Sequence, residues 1–173
     1  MNAAVVYSSR TGNTRKIAEA VHSVMPAGTD IFPVEEAPEP ASYDFLALGF
    51  WVDKGEPDAA MLAYMDRVQG KSVGLFGTLG AWPDSDHARD TMQKAVARMQ
   101  GNRVLGTFIC QGRVDPKLIA AMAKMGPNNP HVMDEARKAR LAEAAKHPDE
   151  NDCAAARKTF AGILRETEGL CAG

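Results

Sequence analysis

Five short apolar runs, Ala3–Tyr7, Asp30–Val34, Phe45–Gly49, Ser72–Gly77 and Val104–Cys110, have strand length and are rich in β-branched or aromatic residues. Segments of helical periodicity lie between most of them. Thr14–Val24 carries Ile17, Ala18, Val21 and Val24 on one stripe, and Asp58–Val68 does the same with Met61, Leu62, Met65 and Val68. Ser85–Met99 repeats the pattern with Ala88, Met92, Ala95, Val96 and Met99, opened by Ser85 or Asp84 as a cap. A strand, a covering helix and a further strand imply parallel strands joined by right-handed crossovers. The alternation therefore predicts an α/β fold, a doubly wound five-stranded parallel sheet with helices on both faces. Glu35–Ser42, rich in proline and acid, breaks the pattern and predicts a loop.

No strand is evident beyond Cys110. Pro116–Met125, Asp134–Lys146 and Glu150–Glu166 read as helices, separated by Gly126–Pro130 and by His147-Pro148. Cys153–Leu164, with Ala156, Phe160, Ile163 and Leu164, suits a helix that closes on the sheet, whereas charged Arg137–Ala145 reads as a solvated surface helix. The length suits one core, so residues 1–173 are expected to form a single domain. Within it, residues 1–112 form the sheet, and 113–173 add a helical extension and the closing helix.

Charge and cysteine usage narrow the function. Residues 1–100 carry 13 acidic against 9 basic side chains and residues 101–173 carry 9 against 11, so neither half suits nucleic acid. The apolar stretches are too short to span a bilayer, and Met1–Tyr7 lacks a basic leader segment, which predicts a cytoplasmic protein without membrane contact. Cys110, Cys153 and Cys171 are odd in number and form no Cys-x-x-Cys pair, so they are expected to be free thiols. His22, His87, His131 and His147 are scattered without metal-ligand spacing, and no metal is expected.

In an open parallel sheet, ligands bind outside the carboxyl ends of the strands. The loop after the first strand, Ser8–Thr14, holds the hydroxyls of Ser8, Ser9, Thr11 and Thr14, the side chains of Arg10 and Asn13, and Gly12, which lets the backbone approach closely. Together with the unpaired N–H groups of a first helical turn, these can donate to one small anion such as a phosphate. The alternative is that Thr11 or Asn13 simply caps the helix. The loop after the third strand brings Phe50, Trp51, Val52, Asp53, Lys54 and Gly55; that after the fourth brings Thr78, Leu79, Gly80, Trp82 and Asp84; that after the fifth brings Cys110, Gln111 and Gly112. Both tryptophans of the chain thus flank the phosphate loop, as two walls for a flat aromatic ligand. No Gly-Lys-Ser/Thr follows the loop and no Gly-x-Gly-x-x-Gly opens it, which argues against a Walker site and a dinucleotide site.

On these residues the chain resembles the flavodoxin family over Met1–Gly112. Ser9-Arg-Thr-Gly-Asn-Thr14 is similar to the family's phosphate loop, and the resemblance implies FMN as cofactor and the strand order 2-1-3-4-5. It further implies that Trp51 lies on the inner face of the flavin ring, Trp82 on the outer face, and Cys110–Gly112 by its pyrimidine edge. The family's glycine beside the inner aromatic, where a peptide turns over toward the flavin N5, is replaced here by Val52; a β-branched residue resists positive φ, which leaves Lys54-Gly55 as the alternative. Asp53, Asp84 and Asp86 near the ring, like stacking on indole, would disfavour the reduced anion and lower its potential, with Lys54 opposing. The resemblance implies an electron carrier, a monomer or weak dimer, passing electrons between a reductase and an acceptor protein. The alternatives are an FMN-dependent NAD(P)H oxidoreductase acting on a quinone-like acceptor, and a domain that has lost its cofactor and serves as a binding subunit. The extension over residues 113–146 either covers the flavin or docks a partner.

Overall fold

The computed structural model describes residues 1–124 and 133–171, with side chains of the last helix described as far as Glu166. The expected break at Gly126–Pro130, the end of the helix at Met125, His131 and the Cys171 thiol lie outside the described residues. The elements run β1 (Ala3–Tyr7), α1 (Asn13–His22), β2 (Asp30–Pro33), β3 (Phe45–Asp53), β4 (Glu56–Pro57), α2 (Ala59–Met65), β5 (Ser72–Leu79), α3 (Asp86–Arg98), β6 (Arg103–Gln111), α4 (Pro116–Ala123), α5 (Glu135–Ala144) and α6 (Glu150–Cys171). Between β2 and β3 the chain makes two short 3-10 turns, Val34–Glu36 and Pro40–Ser42, where the sequence predicts a loop.

The main strands are parallel in the order β2-β1-β3-β5-β6, which is the expected 2-1-3-4-5 arrangement once the two-residue β4 is set aside. That small strand folds back antiparallel on the end of β3, pairing Val52 with Pro57 and Asp53 with Glu56. Because side chains alternate along a strand, β1 sends Ala4 and Val6 to one face and Ala3 and Val5 to the other. The first face packs on α2 and α3 through Met61, Tyr64, Met65, Met92, Ala95 and Met99. The second packs on α1 and α6 through Ile17, Val21, Ala156 and Phe160.

Phenylalanines fill the space left by glycines on neighbouring strands. Gly49 and Phe76 are cross-strand partners, as are Phe50 and Gly77. A Cβ on Gly49 would lie 2.2 Å from the Phe76 ring, and one on Gly77 would lie 2.9 Å from the Phe50 ring. Phe160 of α6 takes the space over Gly74, where a Cβ would come within 2.6 Å, and meets Phe76 edge-on with ring centroids 5.7 Å apart. As its sequence suggests, α6 closes the sheet. By contrast α4 buries none of its residues and α5 buries only Ala144.

Candidate functional site

The loop between β1 and α1 opens the first helix with Gly12 in the left-handed region, φ 89°, and no side chain caps it there. The alternative reading, a cap by Thr11 or Asn13, is therefore not what the structure shows. Caps are supplied to α2 by Asp58, to α3 by Ser85, to α4 by Asp115 and to α5 by Asp134. In the phosphate loop, the Lys16 N–H returns to Gly12 O at 3.0 Å and the Arg15 N–H reaches Ser9 Oγ at 3.2 Å, which leaves the N–H groups of Asn13 and Thr14 for a ligand.

The side chains expected to surround the anion divide into two groups. Ser8 and Thr14 are buried and hold the loop from beneath: Ser8 Oγ donates to Asp58 Oδ1 at 2.7 Å, and Thr14 Oγ1 pairs with Thr78 Oγ1 at 2.9 Å. Ser9 is half-buried and Thr11 exposed, and each accepts a hydrogen bond within the loop, Thr11 Oγ1 from Asn13 Nδ2 at 3.0 Å. An accepting hydroxyl keeps its own proton to donate outward. The Asn13 amide is spent inside the protein, since Nδ2 also donates to Arg113 O at 2.8 Å.

The Trp51 wall differs from the expected loop. β3 continues past Gly49 to Asp53, and Lys54 (φ 50°) and Gly55 (φ 79°) make a two-residue hairpin turn into β4. Two successive residues with positive φ match the strand twist, so the hairpin forms without splaying. Positive φ therefore falls at Lys54-Gly55, while Val52 stays in the ladder. Phe50, expected beside the ligand, is fully buried under Gly77, because strand alternation turns it inward where Trp51 turns out. Leu79 and Cys110 are also buried, and burial pushes the Cys110 thiol well up. Trp82 stands 44 % exposed above these loops. Arg10 reaches over the Trp51 ring, 5.5 Å from its centroid, and pairs with Asp115 at 3.2 Å.

The far side is closed by the chain after β6. Gly112 packs so tightly on Asn13 that a Cβ would come within 2.7 Å, and Gly80 is similarly close to Val114, at 2.4 Å. The Gly112 N–H bonds Leu79 O at 2.9 Å, tying the last two loops together. Gln111 is buried, and its Nε2 donates to nothing among the described residues, an unsatisfied donor of the kind that a ligand carbonyl would engage. Of the acids expected near the ring, Asp86 pairs with Arg89, whose guanidinium also bonds Asp84 O at 2.6 Å. An open hollow of about 450 Å³ beside Lys71, Asn102 and Arg103 lies at the opposite, amino ends of β5 and β6 and has no aromatic wall.

Sequence spacing gave no sign of two contacts that the fold creates. Asp58 is 50 residues from Ser8, and its place at a helix start signals only a cap. His147 is gathered with Asp149 and Asp152, its Nδ1 2.5 Å from Asp152 Oδ2, and this pair holds the His147 imidazolium above the ordinary histidine range. Asp152 in turn accepts the Asp149 N–H at 2.8 Å and donates its own to Asp149 Oδ1 at 3.0 Å, a reciprocal cap at the start of α6.

A model of the flavodoxin domain matches residues 4–161. The flavodoxin-like domain-containing protein BilS of Clostridioides difficile (strain CD3) is 34% identical, covering 88% of this chain and 90% of that protein. BilS of Clostridium symbiosum (strain WAL-14163) is 30% identical over 90% of this chain and 92% of its own length. Among solved structures, a flavodoxin from the domain Archaea superposes with a TM-score of 0.58 at 15% identity, covering 97% of this chain and 99% of that one. The two-electron reduced flavodoxin of Megasphaera elsdenii gives 0.50 at 25% identity, covering 82% and 98%. Among the described residues, no helix is long and apolar enough to cross a membrane.

Proposed function

The chain belongs to the flavodoxin domain family, and from that premise we propose that it is an FMN-binding protein that passes electrons between redox partner proteins in the cytoplasm. The observation that carries the reading is the α1 N-terminus: it has no side-chain cap, its loop meets Trp51 through Arg10, and Gly112, next to the unsatisfied Gln111 amide, packs on Asn13. Ser9, Thr11 and the N–H groups of Asn13 and Thr14 would hold the phosphate, Trp51 and Trp82 the ring faces, and Gln111 the carbonyl edge. The buried orphan donor fits such a ligand. Bound FMN supplies the electron chemistry, accepting and releasing electrons one or two at a time. The protein's part is to bind, to stack and to set the charge around the ring. The rigid hairpin keeps Trp51 in place, and Arg89 offsets Asp86, which weakens the negative field expected on that side.

Stepwise anaerobic reduction of the FMN-loaded protein, with and without NADPH, tests the reading. A flavin spectrum left oxidised by NADPH and converted by a strong chemical reductant supports the carrier. Rapid bleaching by NADPH points instead to an oxidoreductase acting on a small acceptor, and failure to take up FMN leaves a cofactor-free binding domain. Thr11→Ala removes a hydrogen bond to a charged group worth about 1.5 to 3 kcal/mol, so FMN affinity should fall about tenfold or more.

A further inference from the structure

Asp58 stands at the junction of the phosphate loop, the Trp51 strand and α2. Its Oδ1 accepts the Ser8 hydroxyl at 2.7 Å and the Met61 N–H at 3.3 Å, and its own N–H bonds Trp51 O at 3.1 Å. The residue is 3% exposed, and its Oδ2 is buried without a hydrogen-bond partner among the described residues. No cation answers it among the described residues. On the hairpin, Glu56 is engaged with Lys94 of α3 at 3.6 Å, both at the surface, and Asp53 and Lys54 occupy the turn. His87 of α3 lies beside Gly55, and Arg10 pairs with Asp115. The Tyr64 hydroxyl of α2 points away, to Pro38 O.

A buried carboxylate without a counter-ion favours its neutral form, and burial indeed holds Asp58 above the usual carboxylate range against the opposing pull of the Ser8, Met61, Ala60 and Trp51 hydrogen bonds. A phosphate seated in the loop that Ser8 leads into would add a second anion close to the Ser8–Asp58 bond, and a nearby like charge raises a carboxyl further. We propose that Asp58 takes up a proton from solvent when a phosphate monoester enters the loop, so that binding of the phosphate-bearing flavin is linked to one proton while binding of the phosphate-free flavin is not. The cap on α2 survives in either state, because Oδ1 accepts with or without a proton on Oδ2. The inference rests on the FMN reading above and deepens it: the phosphate loop discriminates FMN from riboflavin more sharply as pH falls.

The test compares dissociation constants of FMN and riboflavin by flavin fluorescence from pH 6.5 to 8.5 at fixed ionic strength. Above about pH 6 the phosphate monoester is mostly dianionic, so its own titration would strengthen rather than weaken binding as pH rises. The FMN constant should rise with pH, by at most about tenfold per unit for one proton, while the riboflavin constant stays flat. Asp58→Asn keeps the cap and should flatten the FMN profile; His87→Gln should leave it intact. Ser8→Ala removes the bond that favours ionised Asp58 and should move the rise to higher pH, which keeps the test open if Asp58→Asn fails to fold. Calorimetry in buffers of different ionisation enthalpy should count about one proton taken up at most with FMN and none with riboflavin. FMN binding that is flat with pH, an equal slope for riboflavin, or a slope that persists in Asp58→Asn overturns the linkage alone. Absence of FMN binding at every pH overturns the functional reading together with it.

Discussion

Residues 1–112 and residues 113–148 are held to the same sheet by different physics. In the first region each strand of the parallel sheet sends fully buried or half-buried apolar side chains into the two cores, and α1, α2 and α3 cover them. In the second, α4 and α5 bury Ala144 and little else. What fastens this region is polar: Asn13 Nδ2 to Arg113 O, Arg10 to Asp115, the Arg113 N–H to His147 O at 3.0 Å, and Lys16 Nζ to Pro148 O at 2.6 Å. Three of these four attachments end on the phosphate loop or on α1 just behind it. The contrast predicts that the extension responds to pH and to changes at the candidate site, and the sheet to volume.

Substitutions can break or sharpen that contrast. The largest effect is expected from Phe160→Ala in α6, which empties the space over Gly74 and removes the edge contact with Phe76; a loss of about 3 to 5 kcal/mol should appear in urea unfolding. A loss below about 1 kcal/mol would mean that α6 is not part of the main core. Asn13→Ala should cost roughly 1 kcal/mol by deleting the bonds to Arg113 and Thr11, and limited proteolysis should then cut residues 113–148 faster than the sheet. Uniform protection of both regions in that variant would contradict the polar fastening.

His147 gives a pH signature. Its folded pKa is raised, chiefly by Asp152, so its contribution is complete below about pH 6.5 and fades as pH climbs through the higher folded value. Amide exchange in α5 and the first turn of α6 should therefore quicken from about pH 6.5 upward beyond the intrinsic rate, and His147→Gln should abolish that extra dependence. The smallest effect belongs to Leu118→Ala: with Leu118 40% exposed on α4, stability should change by no more than about 0.5 kcal/mol. A cost near that of Phe160→Ala would show that α4 is covered in solution.

Much of the sheet was legible because burial imposes patterns that are local in sequence. The five strand runs, the stripes of α1, α2 and α3, and the closing role of Phe160, Ile163 and Leu164 all follow from spacing within a dozen residues. The extent of β3 was not, since Trp51–Asp53 become strand only through the turn at Lys54-Gly55 and pairing with Pro57. The phosphate loop could be located from Ser8–Thr14, yet the division of labour among its hydroxyls depended on residues 50 to 100 positions away, Asp58, Thr78 and Arg113. The inward turn of Phe50 was implicit in strand alternation once the strand was known to continue.

The crossed phenylalanine and glycine partners of β3 and β5 bear on how such a sequence can change over time. Gly49 has room for no side chain while Phe76 is present, and Gly77 has none while Phe50 is present. A methyl group gained on one strand is tolerable only after a ring has been lost from the other, and the intermediate with both, or with neither, is the unfit one. Positions 49 and 76, and independently 50 and 77, are thus expected to drift as couples, so that the floor beneath the Trp51 hairpin is inherited in two-letter words rather than single letters.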